Sequence, residues 1–148
     1  MFDDLDLFLI NALQKDARIP ITQLARQLSQ PIPTIRDRIK RLEKRGIIKG
    51  YSAVIDLNKV GLSIKAIVQI RIAGVVTNPG YFLNEIKKIP EVESAYLVTG
   101  DCEGIIIINV KDVDHLRRII YEEIPKLPGV SDTNTMLVLS ESHSITMP

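Results

Sequence analysis

Between residues 36 and 49 the chain carries seven lysines and arginines against two carboxylates, Asp37 and Glu43. Turned at about 100° per residue with Ile35, Ile39 and Leu42 inward, the helix that carries this stretch places Pro33, Arg36, Asp37, Lys40, Arg41 and Lys44 on its outer half. Arg38 and Arg45 flank that face. Cationic side chains at this density suit one chemistry above others, the neutralisation of phosphates, with base edges read by the N-terminal end of a helix in the major groove. The expected DNA-contacting residues are Thr34, Arg36, Arg38, Lys40, Arg41 and Lys44. Asp37 can accept from a cytosine amino group or orient Arg36 or Arg41, and the orienting role is expected. A charged helix face on its own is commonly only a solvated surface, so the elements around it must decide.

Those elements read as a helix-turn-helix. Leu5, Phe8, Leu9 and Ala12 recur at three-to-four spacing within residues 4–15, as on one helix face. Pro20 suits the opening turn of a second helix, whose apolar face is Ile21, Leu24, Ala25 and Leu28. After "SQPI" the basic helix runs from about Pro33 to Arg45, and Gly46 is placed to end it in a left-handed cap. Pro31 and Pro33 stiffen the turn, and the residue before a proline is disfavoured in helical geometry, so Ile32 is expected to be extended. No Ser, Thr, Asp or Asn stands just before Pro33 to cap the helix, at a cost of about 1 kcal/mol.

From residue 64 the periodicity changes. "IKAIVQIRIAG" alternates as a strand, "PGYFLNEIKKI" is helical from near Pro79, and "VESAYLVTG" and "GIIIINVKD" form a hairpin around "DCE". "VDHLRRIIYEEI" is a second helix and "SDTNTMLVLS" a last strand. The order βαββαβ predicts a ferredoxin-like antiparallel sheet with two helices on one face, and an α+β chain overall. Three segments are expected: a helix-turn-helix domain over 1–50, a linker strand over 51–62, and an effector-binding and oligomerisation domain over 63–148. Residues 1–50 carry ten Lys/Arg against six Asp/Glu, whereas 51–148 carry nine against twelve. That asymmetry fits a nucleic-acid-facing module joined to something else. Ile-rich strands that alternate poorly make both sheet faces apolar, and two helices cover only one, so a partner's sheet is expected on the other.

Other chemistries find little support. The single cysteine, Cys102, allows no intrachain disulfide and fits a reducing compartment. The acidic start does not resemble a secretory signal, and "GIIIINV" is too short to span a bilayer, so no membrane role and a cytoplasmic location are expected. Cys102 reads as a small buried hydrophobe, and His115 and His143 as surface residues. No zinc-protease, paired-cysteine, phosphate-loop or dinucleotide motif is present, so neither an enzyme, a metal site nor a cofactor is expected.

"LDLFLINALQKDARI", "RIKRLEKRGIIKGY", "VTGD" and "LPGVSDTNT", in this order and spacing, closely resemble the leucine-responsive/asparagine (Lrp/AsnC, feast/famine) family of transcription regulators across nearly the whole chain. The resemblance implies a winged-type helix-turn-helix joined to a ferredoxin-like effector domain. It also implies homodimers that assemble to octamers, and amino acids bound between subunits. A free amino acid needs acceptors for its ammonium and amides or hydroxyls for its carboxylate. "TGDCEG" carries two carboxylates, Asp101 and Glu103, and Thr133 and Thr135 share one face of the last strand. By resemblance, Gly100, Asp101, Cys102, Thr133 and Thr135 line the pocket, with Asp101 the ammonium partner. The chain departs from the family where Ser29 and Pro31 replace the usual turn glycine and the Ser or Thr opening the basic helix. Cys102 and Glu103 also stand in the usual Gly-Asp-aromatic-Asp loop, and Gly104 replaces a following aromatic. Two alternatives remain beside a ligand-responsive regulator: an architectural DNA-binding factor without ligand, and a tetrapyrrole decarboxylase of the same two-domain plan.

Overall fold

The computed structural model describes residues 3–73 and 79–142, and His143 lies outside them. It forms two compact units, the first reaching Val54 and the second spanning Ile55–Glu141, with Ser142 grouped with the first.

The first unit is three helices, α1 (Asp4–Lys15), α2 (Ile21–Gln27) and α3 (Ile32–Lys44). Asp3 caps α1, its carboxylate accepting from the Asp6 amide at 2.9 Å. The apolar faces close on one core of Leu9, Ile10, Leu24, Ala25, Ile35, Ile39 and Leu42. Leu9, Leu24, Ile35 and Leu42 are fully buried, each stabilising the fold by about 1.5–3 kcal/mol relative to exposure. Buried Ala25 fits a crossing where a larger side chain would hold the helices apart.

The turn between α2 and α3 differs in detail from the sequence reading. Ile32 is the first helical residue, and the extended backbone belongs to Pro31, at φ −59° and ψ 142°. A helix needs no amide donor in its first turn, so Pro33 is accommodated there and Ile32 joins the helix despite preceding a proline. No side chain caps α3. Ser29 at φ 50° is the one non-glycine residue with positive φ among the described residues. It ends α2 in a left-handed cap, with Ser29 N–H donating to Arg26 O at 3.2 Å and Gln30 N–H to Ala25 O at 2.9 Å. Gly46, at φ 70°, ends α3 in the same pattern.

The strand expected over 51–62 does not form: this stretch contains only a 3-10 turn at Leu57–Val60, ended by Gly61 in the left-handed region. A strand needs a neighbour for its amides and carbonyls, and among the described residues this stretch pairs with none. Its side chains are correspondingly bare, Val54 and Ile55 among the most exposed apolar residues.

The second unit comprises β1 (Ile64–Ile72), α4 (Pro79–Ile86), β2 (Val92–Leu97), β3 (Gly104–Val110), α5 (Val113–Arg118) and β4 (Val130–Leu137). The sheet order is β2-β3-β1-β4, with every pairing antiparallel, as the βαββαβ pattern predicts. Ala66, Val68, Ile70, Ile106 and Ile108 point to the side packed by Phe82 and Ile86 of α4 and by Leu116 of α5. At Gly104 a helix residue comes close to the sheet: a Cβ there would lie 3.2 Å from the Phe82 ring. The regular helix expected over 113–124 stops at Arg118 and continues as a wide π turn over Ile119–Glu123, then a 3-10 turn over Ile124–Lys126. Pro125 has no amide to donate and its ring crowds the carbonyl four residues back, which ends the α pattern.

The pairing register places Ile67, Ile105, Ile107, Tyr96 and Met136 on the opposite face. None of them belongs to the core cluster, and Tyr96 and Met136 are exposed. The patch is bounded by Gln69 and Asn134, bonded at 3.2 Å. At its other end Lys65 contacts Glu93 at 3.3 Å and Glu141 at 2.8 Å, while buried Asn109 donates to Glu93 at 2.8 Å.

Candidate nucleic-acid interface and ligand site

The basic residues of α3 divide into two groups. Arg36, Lys40 and Lys44 recur at four-residue spacing, are exposed, and have no ion pair among the described residues. They form one continuous cationic stripe with half-buried Thr34 near its N-terminal end. Asp37 is exposed beside the stripe and pairs with neither Arg36 nor Arg41, so the orienting role expected for it is not seen.

Arg38 and Arg41 point elsewhere. Arg38 Nη1 bonds Asp6 Oδ1 at 3.0 Å and also the Asp3 carboxylate, and Arg41 Nη2 reaches the two Asp6 oxygens at 3.3 and 3.2 Å. Asp6 is 1% exposed. The Arg38 bond, supported by the Asp6 amide, holds the Asp3 carboxyl below its usual 3.8. Those same carboxylates raise Arg38 in turn. Beyond the helix, the Tyr51 hydroxyl donates to Glu43 at 2.8 Å. Burial first, then that carboxylate, pushes the phenol up to about 12.

The expected effector residues fall into two places. Gly100 takes φ 126° in the loop between β2 and β3, a conformation glycine alone adopts readily. Asp101 is exposed at its tip, and Cys102 is buried as a small hydrophobe. Glu103, the second carboxylate expected to face a ligand, is committed to the fold. Its Oε2 accepts from Ile72 N–H at 2.8 Å, its amide donates to Ile70 O at 3.2 Å, and its carbonyl accepts from Val98 N–H at 3.0 Å. Thr133 and Thr135 share one face of β4, half-buried, opposite Ile70 and Val68. Ile70 in turn faces Gly104. A whole strand therefore separates the threonines from the loop, a gap of roughly 10 Å. Ile70 and Phe82 fill the space on that face, so one chain does not gather both halves into one pocket.

A further cluster, not expected from the sequence, lies at the other end of the β2–β3 hairpin. An open cleft of about 550 Å³ is lined by Glu91, Lys111, Asp112, Asp114, His115 and Arg118. Glu91 Oε1 bonds His115 Nε2 at 2.8 Å and Arg118 Nη2 at 3.2 Å. Burial alone would raise Glu91, but the bond to His115, with its own backbone and the two positive charges, holds it below 4.5. His115, expected at the surface, is mostly covered, and its Nδ1 is buried without a partner. The available signal was charge order, a carboxylate opening one strand and "DHLRR" following the next.

Comparison with known proteins settles the lineage. Residues 65–146 match the Lrp/AsnC ligand binding domain, and residues 2–49 a winged helix-turn-helix DNA-binding domain. The chain is 32% identical over 141 residues to the leucine-responsive regulatory protein of Escherichia coli K12, covering 94% of this chain and 85% of that one. Its fold matches that of LrpC from B. subtilis at a TM-score of 0.85 and 27% identity, over 98% of this chain and 99% of that one. It also matches a feast or famine regulatory protein from M. tuberculosis complexed with L-methionine, at a TM-score of 0.89 and 28% identity, over 97% and 96%. Among the described residues no helix is long and apolar enough to cross a membrane. With a helix-turn-helix ending in a cationic stripe and a βαββαβ ligand-binding unit, the chain belongs to the Lrp/AsnC family of transcriptional regulators.

Proposed function

We propose that the protein is a cytoplasmic, non-enzymatic regulator that binds operator DNA through α3 and responds to an amino acid. The observation that carries the DNA assignment is the unpaired stripe of Arg36, Lys40 and Lys44. With Thr34 at its leading end, the stripe reaches phosphates along a major groove while the first turn of α3 meets base edges. A two-fold dimer reads roughly palindromic half-sites about one helical turn apart. Replacing Arg36 and Lys40 together by Ala is expected to abolish sequence-specific footprints while leaving the circular dichroism spectrum intact. A wild-type footprint from that variant overturns the assignment of α3.

The effector reading rests on the matched ligand-binding domain and on exposed Asp101. Asp101 accepts the ammonium of an amino acid, and the Gly100–Glu103 loop brings its backbone to the ligand. Because β1 separates this loop from Thr133 and Thr135, a site using both draws on a second copy of the chain. Ile67, Ile105, Ile107 and Met136 supply an apolar face for that copy's sheet, and the dimers assemble further to octamers. Ile107→Glu in the full chain is expected to reduce the mass measured by light scattering. Thermal melts against the twenty amino acids identify the effector, since a ligand that binds only the folded state raises the midpoint. That ligand is expected to change operator affinity by roughly 5–150-fold, the usual span of such coupling. Asp101→Ala removes the response and leaves ligand-free DNA binding unchanged.

A further inference from the structure

We infer that Asp6 is a positioning residue for the DNA-facing helix, fixing the rotation of α3 and withholding Arg38 and Arg41 from the DNA. The inference rests on the assignment of α3 to DNA and explains how its cationic stripe is aimed. Asp3 and Asp6 lie one turn apart on the first turn of the domain, and Arg38 and Arg41 lie one turn apart on α3. Asp6 accepts from both arginines at 3.0–3.3 Å, and Asp3 from Arg38. The Asp6 carboxylate is almost wholly buried, where an unpaired charge is strongly unfavourable.

That burial makes the contact directional. Hydrophobic packing of Ile35, Ile39 and Leu42 tolerates small rotations of α3 about its axis, because apolar contact has no preferred angle. The carboxylate does not: turning α3 by one residue carries both guanidinium groups away and leaves Asp6 buried without a cation. Buried ion networks add little net stability over an apolar filling, and fixing a register is their best-attested use. Here the register sets where Arg36, Lys40 and Lys44 point. The network has a second consequence. Of the five cations at positions 36, 38, 40, 41 and 44, two are already neutralised within the domain, so fewer counterions are displaced when α3 meets DNA.

Salt dependence separates this role from a merely structural one, because each phosphate neutralised adds about 0.9 to the slope of log affinity against log salt. The probes are a duplex selected by the wild-type protein from random-sequence DNA, and poly(dI-dC) as the non-specific competitor. In the full-length protein, Lys40→Gln is expected to flatten the slope by about 0.9, while Arg41→Gln leaves it unchanged. Asp6→Asn, checked for folding by thermal melting, is expected to lower the ratio of selected to non-specific affinity by about tenfold or more and to steepen the slope as the freed Arg41 reaches a phosphate. Equal flattening by Arg41→Gln and Lys40→Gln overturns the positioning role and leaves α3 as the DNA helix. An unchanged slope in both variants removes α3 from the interface and the inference with it. Should Asp6→Asn not fold, the Arg41→Gln and Lys40→Gln pair decides alone; a folded Asp6→Asn with wild-type specificity also overturns it.

Discussion

Asp6 is held by two arginines and Glu91 by a histidine and an arginine, and the two carboxylates are held differently. The Asp6 side chain is 2% exposed between two arginines, while that of Glu91 is 15% exposed between His115 and Arg118. Each ties a helix to a neighbouring element, α3 to α1 in one unit and α5 to the start of β2 in the other. Guanidinium groups stay charged at any physiological pH, whereas imidazole is the side chain whose charge changes near neutrality. The Asp6 network is thus a permanent fixture, suited to aiming a helix. The Glu91 network borders an open cleft, where water reaches half-exposed Arg118 and losing that partner is more easily tolerated.

The largest effect is expected at Asp6. Asp6→Ala strands the partly exposed Arg41 guanidinium and leaves Arg38 with Asp3 alone, so destabilisation of about 2–3 kcal/mol is expected, below the full cost of breaking a wholly buried pair. Urea unfolding followed by circular dichroism measures it. Glu91→Gln, in the more solvated cluster, is expected to lower stability by about 1 kcal/mol in the same assay. A larger loss at Glu91 than at Asp6 reverses the ranking by burial.

A smaller effect of opposite sign is expected at the turn that launches α3. Ser29 holds a left-handed backbone at φ 50°, a conformation that disfavours L residues and suits glycine at a helix C-terminus. Ser29→Gly relieves that strain but frees the unfolded chain, for a net gain of about 0.5 kcal/mol. A lower melting midpoint in Ser29→Gly contradicts this account.

The smallest effects are those of pH. Both Asp3 and Glu91 have folded values depressed from 3.8 and 4.5. Their contribution is therefore complete above those ordinary values and is lost as pH falls through the lower, folded ones. Glu91→Gln is expected to flatten the acid limb of the stability profile below pH 4.5. Tyr51 works in the other direction: raised from 10.0 to about 12, it contributes fully below pH 10 and loses that contribution as pH rises toward 12. Tyr51→Phe is expected to lack this alkaline step in a tyrosinate absorbance titration paired with melting curves.

Much of the fold was legible because its signals are local. The three-to-four spacing of Ile35, Ile39 and Leu42 marks an inward helix face, Gly46 marks a helix end, and the alternation through residues 64–72 marks a strand. The linker stretch over 51–62 was misread because its residues have a strand's composition and lack only a neighbour among the described residues. Ile32 was misplaced because the rule for residues before proline is weaker than the freedom of a helix's first turn. At the ligand site the types of Asp101 and Glu103 look alike. Only the proximity of the Ile72 amide, 31 residues earlier, commits Glu103 to the fold.

The sequence by itself determined that α3 is basic and that a βαββαβ unit follows it, since periodicity and cap chemistry act over a few residues of chain. Only the tertiary structure decided which cations remain free. Arg36 and Arg38 are two positions apart and chemically identical, but Arg38 meets Asp6 across 32 residues of chain. The reason is electrostatic: a carboxylate removed from water must find a cation within a few ångströms, and only folding determines which cations come that close.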